Sequence, residues 1–329
     1  MDSIRANRHC EGSVPKKMMC LEKEGKYESY QPRVSVIIPS YNHSSFVRQA
    51  ILSVVTQTYK NIELIVVDDG STDESRAIIR NLRNQYNFKY FEQKNSGSPA
   101  AINNGLKNST GDYICFLASD DFYHTEKIAA QIDFYKANPE FGFIHSGCVV
   151  VGELGKEISR TDLNKTNWDM RNLFNILLDS CFVSAPSVMI KRSVIEAVGN
   201  FDESIAIEDW DLWLRIAKHY EVGFQPEYFV YYRQHGANTY FSKNRQKVLR
   251  MCKAEKSILD KWVTDPHYKK IIGMRKLKWF YRLSQVSRID ALPYFFPSSR
   301  YFYNQLFYKG LLFFFFGAKL VQRLRVVRD

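Results

Sequence analysis

Residues 62–71 read IELIVVDDGS, an apolar run that ends in two carboxylates and a turn. The run is rich in β-branched residues and is almost continuously apolar, which predicts a strand buried on both faces of a sheet. A similar run, VSVIIPSYN, occupies 34–42, and GDYICFLASDD follows at 111–121. Segments with helical spacing separate the three runs. This alternation predicts an α/β fold with a mostly parallel sheet flanked by helices.

Polar residues follow these strands at their carboxyl ends, where ligands of parallel sheets bind. Carboxylates held close together repel one another unless a cation or hydrogen-bond donors offset their charge. Mg²⁺ or Mn²⁺ would do so with one or two carboxylates and the phosphates of a substrate. The pattern therefore predicts a metal-bound ligand with a diphosphate, although acids at strand ends are also common as turn and cap residues. The residues concerned are Pro39, Ser40, Tyr41, Asp68, Asp69, Asp120 and Asp121.

The 329 residues carry their charge unevenly. The net charge of +11 divides into −4 for residues 1–239 and +15 for residues 240–329, which hold 20 Lys and Arg against 5 Asp and Glu. Residues 294–316 also contain 12 aromatic side chains. The apolar run at 310–318 is shorter than the about 20 residues that span a bilayer. We therefore expect a basic helical tail that contacts an anionic membrane surface; the alternative is a solvated basic helix with aromatics packed on the body.

Composition excludes several other classes of protein. Apolar residues make up 45% of the chain and charged residues 25%, which excludes a mainly disordered chain. The 6 cysteines have no metal-site or redox-pair spacing, so we expect buried free thiols in a reducing compartment. The polar N-terminal residues have no apolar core of the kind a secretory signal needs, so none is expected. No recognised nucleic-acid-binding module is present, so no nucleic-acid partner is expected.

Six motifs occur in the order expected of glycosyltransferase family 2: VSVIIPSYN, IELIVVDDGSTDES, NSGSPAAINNGL, GDYICFLASDD, GNFDE and EDWDLWLR. On these motifs the chain resembles that family over residues 33–236. The resemblance implies a GT-A fold with a nucleotide-binding half at 33–125 and an acceptor half at 126–239. Residues 1–32 then form a loose N-terminal arm, and residues 240–329 form the basic, aromatic helical region.

The resemblance implies a metal-dependent inverting transferase that moves a sugar from a nucleotide sugar, usually UDP-linked, to a glycan or lipid-linked hydroxyl. Asp209 matches the catalytic base, and Asp120 and Asp121 match metal ligands for Mg²⁺ or Mn²⁺. The expected donor-binding residues are Pro39, Ser40, Tyr41, Asp68, Asp69, Asn95, Asp120, Arg233 and His235. The expected acceptor contacts are Glu208, Trp210 and Asp202. Without the motif, Asp209 would be interpreted as an ordinary helix-start acid and Trp210 as a core residue.

Two positions depart from the family pattern. Ala118 stands where many members have the first acid of the metal motif, and Ile102 stands where many have Arg. Asp120 and Asp121 would then supply one or two ligands without a third acid. Two alternatives remain open: a non-catalytic nucleotide-sugar-binding partner subunit, or a transferase with a dTDP- or GDP-sugar donor. A homo-oligomer is a further alternative for the tail, and the expected location is the cytoplasmic face of a membrane.

Overall fold

The computed structural model describes residues 31–163, 173–205, 207–236, 244–262, 268–318 and 321. The predicted N-terminal arm at 1–32 lies outside these residues apart from its last two. The strands are β1 (Val34–Ser40), β2 (Ile62–Asp68), β3 (Lys89–Glu92), β4 (Tyr113–Phe116), β5 (Phe122–Tyr123), β6 (Phe143–Gly152), β7 (Glu157–Arg160), β8 (Met189–Lys191) and β9 (Val222–Gln234). The helices are α1 (Val47–Val55), α2 (Ser75–Tyr86), α3 (Ser98–Lys107), α4 (Lys127–Ala137), α5 (Leu173–Asp179), α6 (Arg192–Val198), α7 (Glu208–Ala217), α8 (Arg245–Asp260), α9 (Lys269–Ser284), α10 (Arg288–Ser299) and α11 (Gln305–Phe316).

The described strands form a single mixed sheet. Its order is β3-β2-β1-β4-β8-β6-β9-β5, and β7 pairs with β6 outside this path. The first four strands are parallel, and their register pairs Ser40 with Asp68. Strand β8 is antiparallel to both of its neighbours, whereas β6 and β9 are parallel. The predicted α/β class is confirmed, and the parallel part of the sheet is the half that carries the first four motifs.

Both faces of the parallel half are buried, as the apolar strands predict. Along β1, Ile37 contributes to the core on one face, while Val36 and Ile38 contribute to the core on the other. Helix α3 lies close against the first face, because a Cβ on Gly105 would stand 2.4 Å from Cγ2 of Ile37. The absence of a side chain at position 105 therefore sets how closely α3, and the loop before it, approaches the strand ends.

Helices α8 and α9 pack on the α/β body instead of standing away from it. Their buried residues, among them Ile258, Leu277 and Phe280, share one core with Trp210 of α7. The Nε1 of Trp279 donates a 2.7 Å hydrogen bond to Glu255, which joins the two helices. Apolar and aromatic side chains of this part of the tail therefore pack on the body.

Helices α10 and α11 differ, because each buries only part of its apolar surface. Ala291, Phe307 and Phe313 are buried against the other helices, whereas Phe296 and Phe316 are 73% and 57% exposed. Among the described residues, no helix combines the length and the hydropathy required to cross a bilayer.

Candidate active site

The carboxyl ends of β1 and β2 bring Ser40 and Asp68 side by side. Asp68 is fully buried, and its Oδ1 accepts hydrogen bonds from the backbone N–H of Ser71 at 2.8 Å and from Nε of Arg76 at 3.0 Å. Within the described part of the chain, Oδ2 of Asp68 and Oγ of Ser40 are buried without a hydrogen-bond partner. Beyond Pro39 and Ser40, the ring of Tyr41 is 44% exposed. The two orphaned oxygens leave hydrogen-bonding capacity at this edge for a polar ligand.

Asp69, the first residue after β2, holds the loop before α3 in place. Its Oδ1 accepts from Nε2 of Gln93 at 2.9 Å and from the backbone N–H of Ser96 at 2.8 Å, and its Oδ2 accepts from the N–H of Gly97 at 2.8 Å. The buried carboxylate thereby fixes the loop before α3, in which Asn95 is exposed. The predicted contacts of Asp69 and Asn95 with a nucleotide remain predictions.

Asp120 stands between two histidines. Its Oδ2 lies 3.0 Å from Nε2 of His235, and its Oδ1 lies 3.9 Å from Nδ1 of His43. One ligand atom from each residue fits within 4.8 Å of the others, a spacing that can hold a metal ion. Burial lowers the pKa of His43, and the attraction of Asp120 only partly opposes this. A neutral imidazole is the form that ligates metal, so the group is chemically suited to a divalent cation.

Two other residues that were predicted to bind ligand, Asp121 and Arg233, make hydrogen bonds with the protein around this group. Oδ1 of Asp121 accepts the backbone N–H of Arg233 at 2.7 Å, and burial together with the charge of Asp120 holds its pKa well above the usual range. The guanidinium of Arg233 is itself buried and donates to the carbonyl oxygens of Asp120 and Glu153 at 2.9 and 2.6 Å. In this structure Asp121 lies outside the convergent group and Arg233 faces protein oxygens, so both residues support the group and their direct contacts with a ligand stay predictions.

The predicted base lies at the start of α7. Burial raises the pKa of Asp209 to about 6, and burial together with the charge of Asp209 raises the pKa of Glu208 to about 7. Oδ1 of Asp209 accepts the backbone N–H of Trp210 at 2.7 Å. Ser98, the first residue of α3, hydrogen-bonds to Glu208 and lowers its pKa in part. A carboxylate with a pKa near neutrality is suited to general-base catalysis.

The remaining predicted acceptor contacts have other partners. Trp210 is 2% exposed, its Nε1 donates to the carbonyl of Leu177 at 2.8 Å, and Arg275 lies 4.6 Å from its ring. In this structure the ring of Trp210 belongs to the core, and its expected contact with an acceptor stays a prediction. Hydrogen bonds from Ser204 and Lys261 lower the pKa of Asp202 to about 2 and tie its loop to α8.

Two residues of the site were not predicted from the sequence. His43 follows the first motif by one residue, so its place at the strand edge beside Asp120 could have been predicted. Arg215 could not, because its role depends on the folded loop. Its NH1 and NH2 groups donate to the carbonyl oxygens of Gly199 and Asn200, each at 2.8 Å, while its Nε donates to Asp211 at 2.9 Å. Arg215 thereby fixes the loop that precedes Asp202.

Comparison with known proteins agrees with this geometry. The model of the family described as glycosyl transferase family 2 matches residues 35–199, which include Asp68 and Asp120 and end before Asp209. A Rickettsia typhi protein described as an uncharacterized glycosyltransferase is 33% identical over 222 residues, which are 65% of this chain and 68% of that relative.

Solved structures share the fold at low sequence identity. S. aureus TarS 1-349 in complex with UDP-GlcNAc matches with a TM-score of 0.55 and 16% identity, over 90% of this chain and 93% of that one. A mannosyltransferase from Pyrobaculum calidifontis in complex with GDP-Man and Mn²⁺ matches with a TM-score of 0.56 and 17% identity, over 91% and 89%. One of these structures holds a uridine and the other a guanosine nucleotide, so the shared fold does not select the base.

Proposed function

Since this chain belongs to glycosyltransferase family 2, we propose that it moves a sugar from a UDP-sugar to a hydroxyl of a glycan or lipid-linked acceptor, with inversion at the anomeric carbon. The observation that carries the proposal is the convergence of His43, Asp120 and His235 at the carboxyl edge of the parallel strands. Anionic, diphosphate-bearing ligands bind at such an edge when a cation is held there.

In the proposed reaction the acceptor oxygen forms a bond to the anomeric carbon while the bond from that carbon to the diphosphate oxygen breaks. The electron pair of the broken bond leaves with the diphosphate, and the proton of the acceptor hydroxyl passes to the carboxylate of Asp209. A single displacement of this kind inverts the anomeric centre. The pKa of about 6 supports Asp209 as the base, because the side chain is ionised at neutral pH and still attracts a proton.

Asp120, His43 and His235 would hold the divalent metal. When bound, such an ion offsets the charge that develops on the leaving diphosphate. Two imidazoles and one carboxylate favour Mn²⁺ over Mg²⁺, because Mg²⁺ prefers oxygen ligands. The buried Asp121 and Arg233 keep Asp120 and the end of β9 in position.

Thermal unfolding with UDP, GDP and dTDP, each with and without Mn²⁺, tests the donor site. A ligand that binds only the native state raises its stability, by about 2.7 kcal/mol at a concentration a hundredfold above Kd. We expect the largest increase in Tm with UDP and Mn²⁺ together. A larger increase with GDP or dTDP would reassign the donor, and no increase with any nucleotide would contradict the proposal.

A non-catalytic partner subunit is the second candidate, because Ala118 removes one acid from the family pattern. The raised pKa values of Glu208 and Asp209 favour an enzyme. Burial of two adjacent carboxyl groups disfavours their charged forms and so lowers the stability of the fold, whereas a pKa near neutrality is useful for proton transfer. Release of free nucleoside diphosphate from the donor separates the candidates, because a binding subunit would release none.

We also propose that α10 and α11 contact an anionic membrane surface, at its cytoplasmic face. Aromatic side chains of these helices are exposed while residues 240–329 carry a net charge of +15, a combination that suits lipid headgroups and the interface beneath them. The described cysteines, among them Cys115 and Cys148, are free, which suits a reducing compartment. Sedimentation with phosphatidylglycerol vesicles, compared with phosphatidylcholine vesicles, tests the contact.

A further inference from the structure

A cleft of about 460 Å³ lies between the start of α3 and helix α8. On one wall, Ser96 and Gly97 precede α3; on the other, Gln246, Arg250, Lys253 and Ser257 of α8 face the cleft. These four positions are spaced by four, three and four residues, so they form one stripe along the helix. The cleft is therefore built between two defined elements, outside the group formed by His43, Asp120 and His235.

The charge of this cleft is mainly positive. Within the part of the chain that the structure describes, the side chains of Arg250 and Lys253 make no hydrogen bond and no ion pair, although their charges act at longer range on Glu208 and Asp290. Other cations in or just after α8 are paired: Arg245 with Asp290, Lys256 with Asp260, and Lys261 with Asp202 and Asp211. Unpaired cations that share one concave face are therefore distinct from the rest of this basic helix.

Glu203 is the acidic residue in the lining, and it has a partner of its own. Its Oε1 accepts a 2.8 Å hydrogen bond from Nδ2 of Asn103. The backbone N–H groups of Ser96 and Gly97 at the start of α3 are already bonded to Asp69, so the positive charge available to a ligand here comes from α8. An anion in this cleft would meet the two side-chain cations Arg250 and Lys253.

The cleft also borders the proposed base. The charge of Arg250 lowers the pKa of Glu208, and Ser98, directly after Gly97, hydrogen-bonds to Glu208. An anionic group seated beside Arg250 would therefore lie near Glu208 and the neighbouring proposed base, Asp209. Arg binds phosphate with several donors at once, and Lys binds it as a point charge.

We propose that this cleft is an acceptor subsite that binds a phosphate group of the acceptor and so positions the reacting hydroxyl near Asp209. The inference rests on the proposed function and adds the chemical class of the acceptor. A phosphate of a glycan chain and the phosphate of a lipid carrier share the chemistry that the cleft recognises.

Titration calorimetry on the full chain, saturated with Mn²⁺ and the nucleoside diphosphate that stabilises it most, tests the subsite with the donor site blocked. The probes are glycerol phosphate, farnesyl phosphate and, as the uncharged control, glycerol. The variants are Arg250→Gln with Lys253→Gln, and Lys256→Gln as the matched control, because Lys256 does not line the cleft and pairs with Asp260. All three positions are exposed, so the variants are expected to keep the Tm of the parent protein.

We expect both phosphates, and not glycerol, to bind the parent protein and the control. Loss of two phosphate contacts should weaken binding at least about tenfold in the double variant. Tighter binding of farnesyl phosphate would identify a lipid carrier as the source, and equal binding would identify a glycan phosphate. Equal affinity in all three proteins, or no binding of either phosphate to the parent protein, would overturn the subsite. The proposed function would survive that result, because it is judged separately by the nucleotide-dependent increase in Tm.

Discussion

At the scale of single residues, Asp209 is the side chain on which turnover depends in the proposed mechanism. Replacing Asp209 with Asn keeps the acceptor for the Trp210 N–H and removes the base. We expect kcat to fall by about 10²–10⁴-fold while nucleotide binding is retained. In the parent enzyme kcat should rise with pH through about 6, where Asp209 loses its proton. Asp133→Asn, at an exposed position of α4, is the control, and unchanged turnover in Asp209→Asn would remove Asp209 as the base.

Because its pKa is raised, Asp209 also lowers the free energy of unfolding at neutral pH. The pKa of an ordinary aspartate is 3.8 and that of Asp209 in the folded chain is about 6, so the native state binds more protons between these values and loses stability as the pH rises through them. Asn carries no charge to bury. We therefore expect Asp209→Asn to have a higher Tm than the parent protein at about pH 8 and a much smaller difference at about pH 4. Equal differences at both pH values in thermal unfolding would show that the carboxyl is not desolvated.

His235 provides the residue-scale test of the metal group. Its imidazole is largely buried beside Asp120, and we expect it to complete the coordination of Mn²⁺. His235→Ala should therefore lose most of the Mn²⁺-dependent part of the Tm increase with UDP, with a loss of about 10–100-fold in metal affinity. The exposed His219 supplies the matched control, His219→Ala. If Mn²⁺ adds the same increase in Tm in both variants, His235 is not a metal ligand.

The sequence predicted the site residues unevenly, for physical reasons. Asp120 and Asp209 stand in local motifs, so their neighbourhood in the chain is enough to identify them. Arg233 and Trp210 also stand in motifs, but their roles depend on burial by distant elements, which no local pattern reports. His43 was missed because a single histidine in a loop has many ordinary explanations, although its position directly after the first motif places it at the carboxyl end of β1.

At the scale of elements, the junction of α7 and α8 depends on one buried carboxylate. Asp211 is fully buried and accepts from Nε of Arg215 at 2.9 Å and from Nζ of Lys261 at 2.8 Å. Asn cannot neutralise two cations, so Asp211→Asn should lower the free energy of unfolding by about 3 kcal/mol. Lys256→Met, which breaks an exposed pair on α8, should lower it by less than about 1 kcal/mol. Equal losses in urea unfolding would contradict a structural junction at Asp211.

Strand β9 shows where the sequence pattern failed at this scale. The strand spans Val222–Gln234, although its sequence is not continuously apolar along that length. Gln225, Pro226 and Glu227 interrupt the apolar pattern, and the pairing with β6 changes register at the corresponding point, between Ser146 and Cys148. The longer strand is set by pairing with β6 across the sheet, which the local sequence does not contain. The parallel strands β1, β2 and β4 were predictable because each is apolar along its own length.

At the scale of the whole molecule, removal of the tail is a poor test of membrane contact, because α11 buries Phe307 and Phe313 against the rest of the protein. Truncation would expose the surface that these side chains cover, so a loss of membrane binding could not be told from misfolding of the protein. Substitution of exposed residues avoids the problem. Phe302 and Phe316 are 64% and 57% exposed, whereas the control Tyr86 is 44% exposed on α2, in the α/β body.

We expect the double variant Phe302→Ser with Phe316→Ser to bind phosphatidylglycerol vesicles at least about tenfold more weakly than the parent protein, since each aromatic buried in the interface contributes about 1.5–3 kcal/mol. Tyr86→Ser should bind as the parent does. The positive charge predicts that salt weakens binding of the parent and that phosphatidylcholine vesicles bind little. Sedimentation velocity completes the test: if the double variant abolishes a dimer and vesicle binding is the same in all three proteins, the exposed aromatic surface joins two copies of the chain and the membrane proposal fails.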